Sequence, residues 1–197
     1  MEDLTDFDRA ALAAVDRRCL ASLRELLEGA SPNARVRRGW GEDRVCLLHI
    51  ASRWPEGTRA LLDAGADPDL QLEGCNPLLA WVTDCACGLE EDPAAVCRCA
   101  EVLRILLDAG ADPSGGAAAG EETPLHAACF AAAFQDRAEM ITMLLERGAP
   151  TEARDRHGRR PEDCITQRSA GDSARAAFAE WRRARGRKTK PARKNSA

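Results

Sequence analysis

Four times along this chain a run of apolar residues ends at a Gly-Ala pair. The clearest run, "AAVCRCAEVLRILLDAG", places Val96, Cys99, Leu103, Leu106 and Leu107 at helical spacing, so that they form one apolar stripe. The pattern predicts an amphipathic helix that stops at Gly110, because a helix end commonly needs a left-handed residue and glycine adopts that conformation without a Cβ clash. Ala111 is small enough for the chain to turn beside the helix end, and Asp112 and Pro113 favour a turn and cannot prolong the helix. The octapeptide "LLDAGADP" occurs at Leu61–Pro68 and again at Leu106–Pro113, with looser relatives "LLEGASPN" from Leu26 and "LLERGAPT" from Leu144. The glycines at 29, 65, 110 and 148 are 36, 45 and 38 residues apart. Periods of this size point to stacked helical units.

A second element precedes each long helix. In "TPLHAAC", Thr123 can cap a helix with its hydroxyl, worth about 1 kcal/mol, and Pro124 suits the first turn, where its missing N–H costs little. Leu125, Ala128 and Cys129 then make a small-residue helix that neighbours can approach closely. One unit is a turn, a short helix, a reversal, a longer helix and a glycine stop. Alone it has too little core; stacked, each buried Leu or Val contributes about 1.5–3 kcal/mol.

"EETPLHAAC" with "MLLERGAP", and "LLDAGADP" twice, resemble the ankyrin repeat over about residues 4–185. The resemblance implies an all-α fold: an ankyrin-repeat solenoid of about five stacked helix-turn-helix units with short hairpin or loop tips. The units are drawn at 4–34, 35–69, 70–114, 115–152 and 153–185, so that 1–185 is the repeat domain and 186–197 a basic disordered tail. In the closing unit, "DRHGRRPEDC", Arg160 replaces Thr and Asp163 replaces His, and "SARAAFAEWRRARG" is Arg-rich on its outward side. Three departures from the pattern fall where insertions are tolerated: a long hairpin at Arg35–Arg44, an extended third unit between "WVTDCACG" and "CRCAEVL", and a smaller insertion at "FAAAFQDRAEM".

Composition supports a globular protein. Of 197 residues, 45% are hydrophobic and 30% charged. Aromatics are 4%, with no Tyr, so the core must pack with Leu, Ala, Val and Cys, as close helix stacking does. The N-terminus is acidic where a signal peptide would be basic then apolar, and the longest weakly polar run, Ala127–Phe134, is too short to span a bilayer. An intracellular protein of the cytoplasm, the nucleus or both is expected, with its nine Cys mostly reduced. Charge is segregated. Arg182, Arg183, Arg185, Arg187, Lys188, Lys190, Arg193 and Lys194 follow one another without an acid, leaving 20 basic against 32 acidic residues before them, a net of −12. Three readings of the run stay open: a nuclear import signal, an arm for nucleic acid or an acidic surface, and a solubilising end. No aromatic follows Trp181, so any nucleic-acid contact would be led by phosphates.

Candidate chemistry is sparse. His49 and His126 occupy matching positions, "LLH" and "PLH", and the resemblance implies that the imidazole braces the turn. His157 falls in a hairpin tip. No nucleophile motif, phosphate-cradling glycine loop or framed acid pair is present, so catalytic residues, cofactor and metal are all expected to be none. Cys85, Cys87, Cys97 and Cys99, with Cys75 nearby, have thiols enough for zinc, but pairs one residue apart lack the usual ligand spacing and diverge on a helix. Cys99 fits the apolar stripe, and Trp81 is assigned to the core.

The resemblance implies a non-enzymatic scaffold or adaptor that binds one or more proteins through its tips and inner helices, and a monomer. Carried over by register with "TPLH", the helix positions are Arg53, Trp54, Thr83, Asp84 and Phe130. The tips are Arg37, Arg38 and Trp40, then Leu72 and Glu73, then Glu121 and Glu122, then Arg156, His157 and Arg159. Trp40, Arg53, Trp54 and Phe130 are the preferred anchors, since aromatics and Arg dominate interfaces; local packing around Pro55 is the alternative for Trp54. Two specialised versions stay open: a substrate-recruiting adaptor of a ubiquitin ligase, although no Leu- and Pro-patterned docking box follows the stack, and a nuclear regulator that binds a transcription factor. Nucleic acid is expected only at the basic tail, and no membrane contact is expected.

Overall fold

A computed structural model describes residues 4–37, 44–51, 54–70, 93–115, 122–132, 136–165 and 170–188. Helices α1 (Asp6–Asp16) and α2 (Leu20–Gly29) open the chain. Strands β1 (Arg35–Arg37) and β2 (Arg44–Cys46) form an antiparallel hairpin with Val36 opposite Val45. Then come α3 (Leu47–Ile50), α4 (Pro55–Asp63), α5 (Pro93–Asp108), α6 (Pro124–Ala131) and α7 (Ala138–Glu146). A 3₁₀ turn at Pro161–Cys164 and helix α8 (Ala170–Lys188) close it.

The helices lie in two rows. In the outer row α2 packs on α4, α4 on α5, α5 on α7 and α7 on α8; in the inner row α1 meets α3, and α6 meets the 3₁₀ turn. This is the all-α repeat solenoid that the Gly-Ala periodicity predicts. The core runs continuously between the rows, with Leu23, Leu47, Leu61, Leu103, Leu106, Leu125, Ile141, Leu144 and Phe178 fully buried. The stripe on α5 is wider than the periodicity suggests. Val102 and Ile105 are buried beside Leu103, Leu106 and Leu107, because a helix inside a stack touches a neighbour on each side.

Each octapeptide ends its helix in the same way. The Ala66 N–H donates to the Leu61 carbonyl at 2.9 Å and the Gly65 N–H to Leu62 at 2.9 Å; Ala111 reaches Leu106 and Ala149 reaches Leu144 likewise. These are Schellman caps, which need a left-handed residue at the glycine. Gly65, Gly110 and Gly148 have φ of 90°, 93° and 88°. The following alanines are buried, and the first Leu of each "LL" pair is the carbonyl acceptor, which explains why "LLxxGA" is written as a unit. Gly29 departs from this expectation. It stays inside α2, and the chain leaves through Ala30 in an extended conformation, φ −137° and ψ 152°. The left-handed residue of the first unit is instead Arg18, φ 49°, which reverses the chain between α1 and α2.

Side-chain rungs join successive units on the tip side. Asn33 Oδ1 accepts from the Asp67 N–H at 2.7 Å, and Asp69 Oδ1 accepts from the Asp112 N–H at 2.8 Å. The same register would pair Ser114 with residue 150, but that residue is proline and has no N–H. Ser114 donates to Asp112 from both its N–H and its hydroxyl. At this seam the outer row supplies the link: Arg147 donates to the Leu107 carbonyl at 2.7 Å and pairs with Asp108.

Helix α8 runs to Lys188, past the boundary drawn at residue 185. Gly186 does not stop it, because an isolated glycine costs a helix only about 1 kcal/mol and its φ is not left-handed. The buried face is Ala174, Ala177 and Phe178, and Trp181 donates its ring N–H to the Leu145 carbonyl at 3.0 Å.

Candidate protein-binding surface

The inner row is held by braces that join the start of a short helix to the following hairpin. In the fourth unit, Thr123 caps α6, and its N–H and hydroxyl meet His126 Nδ1 at 3.2 and 2.8 Å. Because Nδ1 accepts, Nε2 carries the proton, and it donates to the Arg159 carbonyl at 3.0 Å. His126 is 1% exposed, so its role is to position the next tip. His49 stands in the same place, with Cys46 substituting for the threonine, Sγ to Nδ1 2.6 Å. In the first unit Asp8 does this work. It accepts from the Thr5 N–H and hydroxyl at 2.9 and 2.7 Å and from the Arg37 N–H of the next hairpin at 3.0 Å. Asp163 repeats the cap in the closing unit, accepting the Arg160 N–H at 2.9 Å, and its carboxyl is held below the usual range by that N–H and by the Arg160 guanidinium. Sequence comparison missed Asp8, although "TDFD" aligned on "TPLH" carries the signal: an acceptor carboxylate replaces a donor imidazole, and the partner changes from C=O to N–H.

The braces fix the tips. In "DRHGR", Asp155 Oδ1 accepts from the N–H groups of His157 and Arg159 at 2.8 and 2.9 Å, and its Oδ2 accepts from Arg159 Nε at 2.9 Å. Gly158, φ 73°, closes the turn by donating to the Asp155 carbonyl at 2.8 Å. Burial pushes the Asp155 carboxyl up, but the Arg159 and His157 donors outweigh it and bring it down to about 2, from 3.8. A carboxyl whose pKa is lower folded than unfolded stabilises the fold above the unfolded value and loses that contribution as pH falls toward the folded one. Stability measured by urea denaturation should therefore fall between about pH 4 and pH 2, and Asp155→Asn should be less stable at neutral pH and decline less steeply in that window. An unchanged slope would mean that Asp155 is not held by these donors.

The candidate binding residues divide accordingly. Phe130 is the exposed large hydrophobic among the described residues, at 46%. Glu122, Arg156, His157 and Arg159 are exposed, and Arg37 is half-buried on the first hairpin. Trp54 is corrected: it is 4% exposed, with its ring lying over Gly57, whose missing side chain leaves the slot. Packing beside Pro55, not presentation at a surface, is its role. Arg38, Trp40, Arg53, Leu72, Glu73, Trp81, Thr83, Asp84 and Glu121 lie outside the described residues, as do Cys75, Cys85 and Cys87 and the side chains of Cys97 and Cys99. Among the described residues no group of three or more His, Cys, Asp and Glu could hold a metal ion. Burial raises the Cys46, Cys129 and Cys164 thiols, as expected of packing residues.

Within the basic run, Arg182 is tied to Glu162 and sits 5.7 Å over the Phe178 ring, and Arg185 lies 4.8 Å over Trp181. Arg183 is exposed, and Arg187 and Lys188 are on the last turn of α8; Lys190, Arg193 and Lys194 lie outside the described residues. No helix among the described residues is long and apolar enough to cross a membrane. On the outer row, a groove of about 500 Å³ between α7 and α8 is lined by Leu145, Ala177, Trp181 and Arg185, and one of about 370 Å³ beside α5 is bordered by the Arg59–Glu101 and Arg104–Glu139 pairs.

No curated protein matches the chain. Residues 121–156 match the family described as Ankyrin repeat. That segment contains the Thr123–His126 brace and the Gly148 stop, and the same stop closes two earlier helices of the stack. By this match the chain contains an ankyrin repeat, set within a stack of helical units that share its glycine stop.

Proposed function

We propose that this protein is a non-enzymatic scaffold or adaptor that binds other proteins through its hairpin tips and the exposed end of its inner helices. The observation that carries this reading is the brace: His126 is spent on holding the Arg159 tip in place, and exposed Phe130 stands on the same short helix. A repeat stack that invests its buried polar groups in positioning exposed tips is built for recognition. The partner is selected by side chains outside the repeat frame. The basic run from Arg182 onward serves as a nuclear import signal, so that the protein works in both cytoplasm and nucleus.

Affinity capture from cells tests both parts, with full-length protein compared with a truncation ending at Lys188. The cut belongs there because Trp181 and Arg182 hold α8 to the stack. Partners should persist on the truncation, and its nuclear fraction should fall. Capture of no protein by either form would sink the scaffold reading, and a distribution unchanged in the truncation, and still unchanged when Arg183, Arg187 and Lys188 are also replaced by Gln, would remove the import signal.

A further inference from the structure

The closing hairpin crowds Arg154, Arg156, Arg159 and Arg160 into seven residues, and its acids are not evenly shared among them. Asp155 is consumed by Arg159, at 2.8 Å. Arg160 is paired with Asp163 and Glu152, both at 3.4 Å. Arg182 takes Glu162. Arg154 donates to the Gly158 carbonyl at 2.6 Å, and Arg156 Nε donates to His157 Nε2 at 3.2 Å. Neither is paired with a carboxylate among the described residues. The tip therefore has two layers: ion pairs at its base and two exposed guanidinium groups with no carboxylate in contact, Arg154 meeting the Asp163 charge only at longer range.

The donor geometry is specific. With Nε–H of Arg156 donated to the imidazole, the two terminal amino groups of this exposed guanidinium are left to donate to two oxygens of one anion. The backbone beneath is fixed by Asp155, by the Gly158 turn and by His126 from the preceding unit. A ligand arriving here meets cations that are already placed, so little ordering is lost on binding.

We infer that the Arg154–Arg160 tip docks an anionic peptide segment of a partner protein, with Arg154 and Arg156 as the cations that meet its carboxylates or phosphoserines. The inference rests on the scaffold reading and assigns the chemistry of one of its contact points. The opposing chemistry stands one tip earlier, where Glu122 is exposed. A segment crossing both tips would need negative residues over the closing hairpin and none over Glu122, which gives it a direction.

The test is fluorescence anisotropy on the full chain, with a labelled short peptide of alternating Asp and Glu in one arm and a Ser-rich peptide carrying phosphoserines in the other. Arg156→Gln is the chosen variant, because among the described residues its side chain hydrogen-bonds only to its neighbour His157, so no brace of the fold is lost. Binding should weaken roughly tenfold on loss of one charge-assisted pair, and further in Arg154→Gln with Arg156→Gln. Arg183→Gln with Arg185→Gln on α8 should leave it within about twofold, since those cations lie off the tip. That pattern in either arm supports the assignment, and the tighter arm names the anion. Absent binding in both arms, or equal loss in the α8 pair, overturns it. If partners are still captured from cells, only the tip assignment has failed; if none is captured, the scaffold reading has failed as well.

Discussion

Gly57→Ala is expected to destabilise the protein, although alanine is the better helix former by about 1 kcal/mol. Gly57 lies in the first turn of α4, and a Cβ built there would stand 2.1 Å from Trp54 Cε3 and 2.5 Å from Cδ2. The ring has no free space to enter, since Trp54 is 4% exposed and closes the core at the reversal before Pro55. Either the indole is expelled or α4 is pushed off α3. Overpacking of this kind costs about 1–3 kcal/mol, which outweighs the helix-propensity gain. Denaturant titration should show the loss, and Trp emission should shift to the red as a ring becomes wet. Trp54→Leu should restore stability in the Gly57→Ala background, because the smaller side chain vacates the space over the new methyl. A Gly57→Ala protein as stable as the parent would return Trp54 to the list of surface anchors.

Replacing His126 should be costlier. His126→Ala leaves a cavity and deprives the Thr123 hydroxyl and the Arg159 carbonyl of a buried partner, and each such orphan costs about 1–3 kcal/mol. A total loss of roughly 3 kcal/mol is expected once relaxation is allowed. The effect should spread to the tip, where amide hydrogen exchange at residues 155–159 should quicken, because the brace is what holds that turn to α6. A catalytic histidine would behave otherwise, with activity lost and stability and exchange unchanged. That outcome would overturn the reading of His126 as a positioning residue.

The stops at Gly65, Gly110 and Gly148 were legible in the sequence because a Schellman cap is local: its donors, acceptors and left-handed residue all fall within six positions. Gly29 marks the limit of that locality: the Gly-Ala pair is present, but Gly29 stays inside α2 and the chain leaves extended toward the first hairpin. Thr123 and His126 were legible as a motif, whereas Asp8 was not, because it serves the same brace with the opposite hydrogen-bond polarity. Trp54 was undecidable from composition, since whether a tryptophan is an anchor or a core residue turned on a missing Cβ three residues on. Helix α8 runs through Gly186 to Lys188, because that glycine lacks the left-handed conformation of the residues that end the earlier helices. Pairing of cations and acids at the closing tip lay wholly beyond the sequence, as it depends on which of several neighbours each guanidinium reaches.

The rungs from Asn33 to Asp67 and from Asp69 to Asp112 act as plug and socket, and they make the units unequal as building blocks. A duplicate of residues 35–69 could follow its parent, since it offers the amide of Asp67 to the unit before and the carboxylate of Asp69 to the unit after. A duplicate of residues 115–152 has no plug, because Pro150 carries no amide hydrogen. Lengthening this protein by gene duplication or by design is therefore easier toward its beginning than toward its end.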